Sequence, residues 1–303
     1  MNRAVVFAYH DVGVRCLRAL LEGGVEVPLV VSHRDDPNER IFFASVAQLA
    51  ASRGIETVYP ADPNTAEFVA RVRALAPDFL FSFYYRKMLS PELLACARRG
   101  AFNMHGSLLP KFRGRAPVNW AVLKGETETG ATLHEMVAKP DAGRLVDQER
   151  VPIGPDDTAA EVFTRVTDAA ETVMRRSLPG LLDGSAVLQP QDLARGSYFG
   201  GRRPEDGRID WSQGAQAVHN LVRAVAPPYP GAFTAIPGGT LKLYRTRLEP
   251  ARAPRPGGPG LYCADGALFA DCGDGKVIRL LEFETEGAPL DMERLAIQKE
   301  TLT

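Results

Sequence analysis

Short apolar runs alternate with longer amphipathic segments over the first two-thirds of the chain. Strand-like apolar runs cover residues 4–7, 25–31, 56–59 and 79–83, helical patterns cover residues 14–21, 41–51 and 67–75, and a charged loop covers residues 33–40. Strands that alternate with helices of about ten residues are typical of right-handed βαβ units and a parallel sheet. The pattern therefore predicts an α/β fold with a Rossmann-like, mostly parallel sheet.

The pattern changes twice further along the chain. Residues 132–137 and 145–151 alternate as the strands of a hairpin do, around the turn Pro140-Asp141-Ala142-Gly143. Residues 189–201 are polar and rich in glycine, and the short alternating segments beyond them are typical of a small β-barrel. We predict a catalytic domain at residues 1–188, a linker at residues 189–201 and an open, OB-like barrel domain at residues 202–303.

Composition and charge narrow the class of protein. The 303-residue chain is 45% hydrophobic and 24% charged, as an ordinary globular protein is. Its net charge of −1 provides no general attraction for nucleic acid or an anionic membrane, and it has neither a long apolar run nor a leader-like start. The four cysteines lack C-x-x-C spacing, so neither a zinc ribbon nor a disulfide framework is expected. We expect a cytoplasmic protein that does not insert into membranes.

The stretch with the strongest chemical character is residues 101–120, AFNMHGSLLPKFRGRAPVNW. If residues 101–104 end a buried strand, Asn103 and His105 point to the same side of the sheet. An Asn amide can donate a hydrogen bond to a developing oxyanion, and a His can move a proton at neutral pH. Asp141 lies beyond the next apolar run, where its carboxylate could orient or charge the His.

Each of these residues also has a plain structural interpretation. An isolated N-x-H pattern is common, and most such histidines fill a core or a surface position. An Asp in a tight turn normally bonds its own backbone. His134 lies within a predicted strand, and we interpret it as structural. The pattern alone leaves both interpretations of Asn103, His105 and Asp141 open.

The longer pattern F-N-x-H-G-S-L-L-P-x-x-R-G-x-x-P, followed by the spaced Asp141, resembles the 10-formyltetrahydrofolate-dependent formyltransferases. Within that family, the run HGSLLPKFRGRAP is most similar to the branch that formylates nucleotide-linked amino sugars. The closest resemblance is to the formyltransferase domain of the bifunctional UDP-4-amino-4-deoxy-L-arabinose formyltransferase/UDP-glucuronate decarboxylases. Residues 200–211 and 219–233 also resemble the opening of that family's C-terminal domain.

The resemblance implies transfer of a formyl group from the cosubstrate 10-formyltetrahydrofolate to a primary amine, without a metal. Asn103 would donate to the oxyanion, His105 would carry a proton between the two nitrogens, and Asp141 would raise the pKa of His105. The implied substrate is UDP-4-amino-4-deoxy-L-arabinose, which belongs to lipopolysaccharide chemistry, in the lipid A modification that confers resistance to cationic peptides. The particular amino sugar and the oligomeric state stay open.

The resemblance also assigns binding residues to the two substrates. Backbone groups of one segment would line the pterin site, namely those of Lys87, Met88 and Leu89. The opposite wall would be formed by Val137, Ala138, Lys139 and Pro140. The sugar nucleotide would lie near Arg113 and Arg115, because guanidinium groups suit phosphate oxygens. Further substrate-binding candidates are Ser107, Tyr84, Tyr85 and Arg86, with a loop contact as the alternative for the serine and a packed strand end for the tyrosines.

The nearest alternative is a methionyl-tRNA formyltransferase with the same two-domain plan. Recognition of tRNA depends on phosphate neutralisation and hence on a basic surface. Residues 201–303 contain 13 Lys and Arg and 13 Asp and Glu, so this part of the chain carries no net positive charge. A glycinamide ribonucleotide formyltransferase would lack the C-terminal barrel, and a binding module without catalysis would lack one of the three polar residues. The sequence therefore favours a sugar-nucleotide substrate and no nucleic-acid partner.

Overall fold

The computed structural model describes residues 2–37 and 41–302, which divide into two compact units. The first comprises Met1–Pro117, Glu128–Pro152 and Phe163–Gly200, and the second comprises Val118–Thr127, Ile153–Val162 and Gly201–Thr303. Of the charged loop predicted over residues 33–40, the last three residues lie outside the described part of the chain. No helix within the described ranges is long and apolar enough to cross a bilayer.

The chain up to residue 200 folds mainly around one sheet. Its elements in chain order are β1 (Arg3–Ala8), α1 (His10–Glu22), β2 (Glu26–Val31), α2 (Val46–Ser52), β3 (Glu56–Val58), α3 (Ala66–Ala74), β4 (Phe79–Phe83), α4 (Pro91–Leu94), β5 (Gly100–His105), β6 (Arg113–Gly114), α5 (Pro117–Leu123), β7 (Glu128–Glu135), β8 (Leu145–Pro152), α6 (Ala159–Asp183) and β9 (Tyr198–Phe199). The seven-stranded sheet has the order β3-β2-β1-β4-β5-β7-β8, and the first five of these strands are parallel. β7 and β8 are antiparallel and form the predicted hairpin. The predicted Rossmann-like sheet is confirmed.

The sheet owes its stability to continuous apolar strands covered by amphipathic helices. Val5 and Phe7 of β1 pack with Leu29 of β2 and Leu80 of β4, and all four side chains are fully buried. α3 begins where the Thr65 hydroxyl accepts a hydrogen bond from the Phe68 N–H, and it adds its apolar face to the same cluster. Buried strands of this kind read as near-continuous hydrophobic runs, which is why the sequence pattern located them.

The parallel strands end level with one another. Ala8 of β1 pairs with Phe83 of β4, and Phe83 pairs with Met104 of β5. His105, the last residue of β5, therefore stands at the carboxyl edge of the sheet. Ligands of open α/β sheets bind outside this edge.

The second unit is built around a curled, antiparallel half-barrel sheet. Its further elements are α7 (Ala215–Val225), β10 (Ala232–Ile236), β11 (Gly239–Leu248), β12 (Gly260–Ala264), β13 (Ala267–Asp271), β14 (Val277–Gly287), α8 (Met292–Ile297) and β15 (Glu300–Thr301). The strand order is β10-β11-β14-β13-β12-β15. Trp211 is fully buried beside α7 residues Val218 and Val222, and its indole N–H donates to Thr234 at 3.0 Å. The predicted open, OB-like barrel is confirmed.

The boundaries of the units differ from the predicted domains in two places. Residues 118–127 and 153–162 group with the second unit, although the sequence division left them with the first. Residues 189–201, predicted as a linker, contain a 3₁₀ turn at Leu193–Arg195 and β9, which pairs with β6. Tertiary pairing of this kind is invisible in a polar, glycine-rich composition.

Replacement of Trp211 by Ala tests the core of the second unit. We expect Trp211→Ala to lower the free energy of unfolding by about 3–5 kcal/mol, because a large buried side chain and its hydrogen bond are both lost. Urea denaturation gives this value. The control Ile297→Ala removes a side chain that is 88% exposed and should change stability by less than about 0.5 kcal/mol. Equal effects of the two substitutions would show that Trp211 is not a core residue.

Candidate active site

Asn103 and His105 lie two residues apart on β5, so both side chains leave the same face of the strand. His134 of β7 stands directly opposite Asn103 in the antiparallel register. The Nδ2 atom of Asn103 is 3.1 Å from Nε2 of His134, whose Nδ1 donates to the Glu135 carbonyl at 2.8 Å. In the neutral ring Nε2 then accepts, and one N–H of the Asn103 amide is engaged.

Asp141 brings a carboxylate to both histidines from the turn between β7 and β8. Its Oδ1 atom is 3.6 Å from Nδ1 of His105 and 3.4 Å from Nε2 of His134. Its Oδ2 atom accepts from the backbone N–H of Gly114 at 2.9 Å. The turn interpretation, in which Asp141 only bonds its own backbone, does not describe these contacts. The structure thus brings the three predicted polar residues together and adds His134.

The backbone around the site adopts left-handed torsions that are unusual for residues other than glycine. They occur at His10 (φ 67°), Tyr84 (φ 58°), Phe112 (φ 56°), Ala116 (φ 50°) and Asp141 (φ 50°). Such residues cost about 1–3 kcal/mol each and concentrate at functional sites. Two glycines permit close packing beside them, since a Cβ would lie 2.0 Å from the Tyr84 hydroxyl at Gly106 and 2.0 Å from the Glu135 carbonyl at Gly143.

Burial and neighbouring charges shift the pKa values of His105 and Asp141 in opposite directions. Burial lowers the pKa of His105 below its usual value, although Asp141 and the hydrogen bond to Phe112 oppose this effect. Burial would raise the pKa of Asp141, but His105, His134 and the Gly114 N–H together hold that pKa far below its usual value. The contribution of Asp141 has the expected direction, since it raises the pKa of His105, but burial is the larger effect and the net pKa is lowered.

The two ring nitrogens of His105 have different partners. Nε2 donates to the Phe112 carbonyl at 2.8 Å, so Nδ1 is the nitrogen that gains and loses the proton. Nδ1 faces Asp141, and a protonated ring would therefore direct both N–H groups at oxygen atoms. His105 is only 6% exposed, which keeps this exchange away from bulk water.

Ser107 belongs to the loop that supports His105. Its side chain is fully buried, and the hydroxyl donates to the Lys111 carbonyl at 2.6 Å. Its own carbonyl accepts from the Thr132 hydroxyl at 2.6 Å. Of the two predicted roles, loop contact or substrate contact, these bonds favour the first, because the hydroxyl is already committed to the loop.

One predicted pterin segment reaches an apolar cluster through Leu89, and the residue before the other segment, Met136, packs against the same cluster. The next residues on each side are exposed, with Met88 at 59% and Val137 at 39%. Lys87 directs its ammonium group to the Pro60 and Ala61 carbonyls at 2.8 and 2.6 Å. Ala138 and Lys139 are also exposed, and Pro140 is half-buried.

The predicted anion-binding arginines differ in environment. Arg113 is 8% exposed, and its side chain makes no hydrogen bond or ion pair to the part of the chain that is described, with Nε fully buried. Arg115 is exposed, and Nη2 lies 3.4 Å from the Arg86 carbonyl. A buried N–H without an acceptor is unfavourable, and an anion would supply that acceptor. Arg113 is therefore the group best suited to an anionic ligand, with Arg115 beside it in sequence.

The remaining predicted binding residues follow β4. Tyr84 packs edge-on against Phe163, with ring centroids 5.6 Å apart. Tyr85 stacks on His33 at 4.2 Å, and burial raises its pKa to about 12. Arg86 places its guanidinium over the Tyr9 ring at 4.8 Å. The packed strand end, given as the alternative for the tyrosines, describes Tyr85 well.

Comparison with known proteins identifies the family. Residues 2–178 match the Formyl transferase family, and residues 202–299 match the Formyl transferase C-terminal domain. The chain belongs to the formyl transferase family. No group of three or more His, Cys, Asp or Glu residues within residues 2–37 and 41–302 is arranged to hold a metal ion in this formyl transferase.

Solved structures share the fold over most of the chain. An N-formyltransferase from Helicobacter canadensis, in complex with folinic acid and dTDP-3-aminofucose, has a TM-score of 0.74 and 19% identity, with 94% of this chain and 100% of that chain covered. A sugar N-formyltransferase from Shewanella sp. has a TM-score of 0.64 and 17% identity, with coverage of 80% and 96%. HypX from Aquifex aeolicus, in complex with tetrahydrofolic acid, has a TM-score of 0.63 and 20% identity, with coverage of 95% and 46%. At these identities the likeness establishes the fold.

Substitution of Asp141 tests the electrostatics of this formyl transferase site. Asp141→Asn removes the anion that favours the charged form of His105, so the pKa of His105 should fall further. The acid limb of the pH profile of kcat/KM should therefore move to lower pH, because His105 stays neutral over a wider range. The profile of the wild-type enzyme is the reference. If the acid limb does not move, Asp141 does not affect the pKa of His105 and serves only to form the turn.

Proposed function

We propose that this formyl transferase moves the formyl group of 10-formyltetrahydrofolate to the primary amine of a nucleotide-linked amino sugar. The observation that carries the proposal is the convergence of Asn103, His105 and Asp141 at the end of β5. An amide donor, a buried imidazole and an anion are the groups that acyl transfer to an amine requires. The Helicobacter canadensis structure, which contains a folate and a nucleotide-linked amino sugar, supports this choice of substrates.

The chemistry is an addition followed by an elimination. The neutral amine attacks the formyl carbon, a tetrahedral intermediate with an oxyanion forms, and the bond from that carbon to N10 of the folate then breaks. Asn103 has a second amide N–H beyond the one directed at His134, and this N–H donates to the oxyanion. His105 takes the proton lost by the amine at Nδ1, where Asp141 stabilises the imidazolium, and returns it to N10.

The folate is assigned to the exposed residues that flank the apolar cluster of Leu89 and Met136. Met88 and Val137 offer apolar side chains to a flat ring, and the backbone groups of residues 87–89 and 137–140 would satisfy its polar edge. Asp141 follows the second segment directly, so a pterin held there lies next to the catalytic residues. The ammonium group of Lys87 already donates to two carbonyls, so only the backbone of Lys87 is assigned to the folate.

The nucleotide is assigned to Arg113 and Arg115, since the buried Nε of Arg113 meets no acceptor within the described residues. Guanidinium groups bind phosphate oxygens in a bidentate manner. Tyr84 and Arg86 are further candidates beside them. The motif of residues 101–120 makes UDP-4-amino-4-deoxy-L-arabinose the first sugar to test, with a role in lipid A modification, and the Helicobacter canadensis complex makes a dTDP-linked 3-amino sugar the second.

A methionyl-tRNA substrate receives less support. Residues 201–303 carry equal numbers of basic and acidic side chains, whereas tRNA binding depends on an excess of positive charge. We also propose a cytoplasmic location, because all four cysteines are free and buried, as is usual for proteins of reducing compartments.

A folate-release assay with three amine substrates tests the proposal. The enzyme receives 10-formyltetrahydrofolate with UDP-4-amino-4-deoxy-L-arabinose, a dTDP-linked 3-amino sugar or methionyl-tRNA. We expect turnover with at least one sugar nucleotide and none with tRNA. Turnover with tRNA alone would refute the proposed substrate class.

Removal of either polar residue of β5 should abolish most turnover. We expect Asn103→Ala to lower kcat about 100- to 1,000-fold and His105→Ala about 100- to 10,000-fold, because oxyanion stabilisation and proton transfer are lost. Steady-state kinetics measure kcat, and folate binding measured by fluorescence titration should persist. A variant with normal kcat would show that its residue takes no part in the reaction.

The placement of the nucleotide predicts a selective effect of Arg115. We expect Arg115→Ala to raise KM for the sugar nucleotide about tenfold and to leave KM for the folate nearly unchanged, because a charged hydrogen bond to phosphate is lost. The control is Arg98→Ala, an exposed arginine that pairs with Asp78 before the amino end of β4. An equal rise of both KM values, or a rise in the Arg98→Ala control, would show that Arg115 does not bind the phosphate.

A further inference from the structure

Gln191 contacts the backbone of the turn that carries Asp141. Its Nε2 donates to the Asp141 carbonyl at 3.2 Å and to the Gly143 carbonyl at 2.5 Å. Gln189, two residues earlier, holds the segment in place through two backbone hydrogen bonds with Leu145 at 2.7 and 2.8 Å. The segment that the sequence marks as a linker is therefore part of the first unit and packs on this turn.

The amide of Gln191 is used for these carbonyls alone. Its Oε1 is buried and meets no donor within residues 2–37 and 41–302. Only the N–H side of an amide can face two carbonyl oxygens, so the contacts fix the orientation of the group. A buried polar atom left without a partner is unfavourable, and here this orientation places the N–H donors of the amide on the two turn carbonyls.

The same segment also holds the second partner of Asp141. β9 pairs with β6, and the N–H of Gly114 in β6 donates to Oδ2 of Asp141. Ser197, just before β9, accepts from the Phe112 N–H at 2.9 Å, and the Phe112 carbonyl accepts from His105. Residues 191–199 thus support the carboxylate and the imidazole from outside the two strands that carry them.

We propose that Gln191 is a positioning residue that holds Asp141 in its left-handed turn, with the carboxylate directed at His105 and His134. The turn has φ of 50° at Asp141, a torsion that requires support from its surroundings. Two hydrogen bonds to carbonyls on either side of Ala142 prevent the turn from relaxing. The inference rests on the proposed function in one respect, namely that the Asp141 carboxylate takes part in formyl transfer.

The consequence of losing Gln191 can be derived from the groups that face His105. Within the described residues these are Asp141, which favours its charged form, and His134, which disfavours it. If the turn relaxes, the carboxylate moves away while burial remains. The pKa of His105 should then fall, in the same direction as in Asp141→Asn.

The test compares Gln191→Leu with Gln189→Leu, the same change at an exposed side chain two residues away that makes no hydrogen bond to the described residues. The pKa of His105 is measured by NMR titration of its ring, which requires no turnover. We expect Gln191→Leu to lower this pKa and to lower kcat about tenfold or more, with KM values nearly unchanged and no effect of Gln189→Leu. Added to Asp141→Asn, Gln191→Leu should cause little further loss, because both changes remove one interaction.

An unchanged His105 titration in Gln191→Leu, or a loss of kcat that is fully additive with that of Asp141→Asn, would overturn the proposal. If Gln191→Leu does not fold, Gln191→Met, which also lacks the N–H donors, is read by the same criteria. Failure of the proposed function has a different signature. In that case the titration shifts as expected, while the wild-type enzyme transfers no formyl group to any sugar nucleotide.

Discussion

The arrangement of the site depends on one carboxylate that is held where burial alone would neutralise it. Asp141 keeps its charge because two imidazoles and the Gly114 N–H surround it. Each of these partners comes from a different part of the chain, so β5, β7, β6 and the hairpin turn must all be in place before the anion is stable. A buried charge with its partners removed is strongly destabilising. The same contacts therefore hold the loops of the candidate site together and raise the pKa of His105 against the larger effect of burial.

The sheet explains why this carboxylate meets a histidine at all. Level ends of the parallel strands place His105 at the edge where such folds bind ligands, and the reversal of β7 returns His134 to the same face. Residues with positive φ in the surrounding loops change the direction of the backbone over short distances. Packing such as that of Tyr84 against Phe163 and hydrogen bonds such as those from Gln191 stabilise the loops that contain these torsions.

The local pattern of apolar and polar residues was sufficient to predict the helices and strands and the strand face that Asn103 and His105 share. Strand periodicity and apolar runs depend only on residues that are close in sequence. The pattern could not show that His134 stands opposite Asn103, because the register between β5 and β7 determines this contact. The net pKa direction of His105 could not be predicted from the pattern, because it depends on how deeply the fold buries the ring. Gln191 lies in a segment whose composition indicates a linker, and only its tertiary contacts show what it holds. The proposed substrate came from the resemblance of residues 101–120 to the sugar-nucleotide branch of the family, and no local pattern specifies it.

The most direct test of the account follows the formyl carbon itself. In a single turnover with 10-formyltetrahydrofolate labelled at that carbon, mass spectrometry of the sugar nucleotide reports where the label goes. The account predicts that the label appears as an amide on the sugar amine at a rate that depends on Asn103 and His105. Label that is released as free formate, or that reaches the sugar equally fast in His105→Ala, would contradict it.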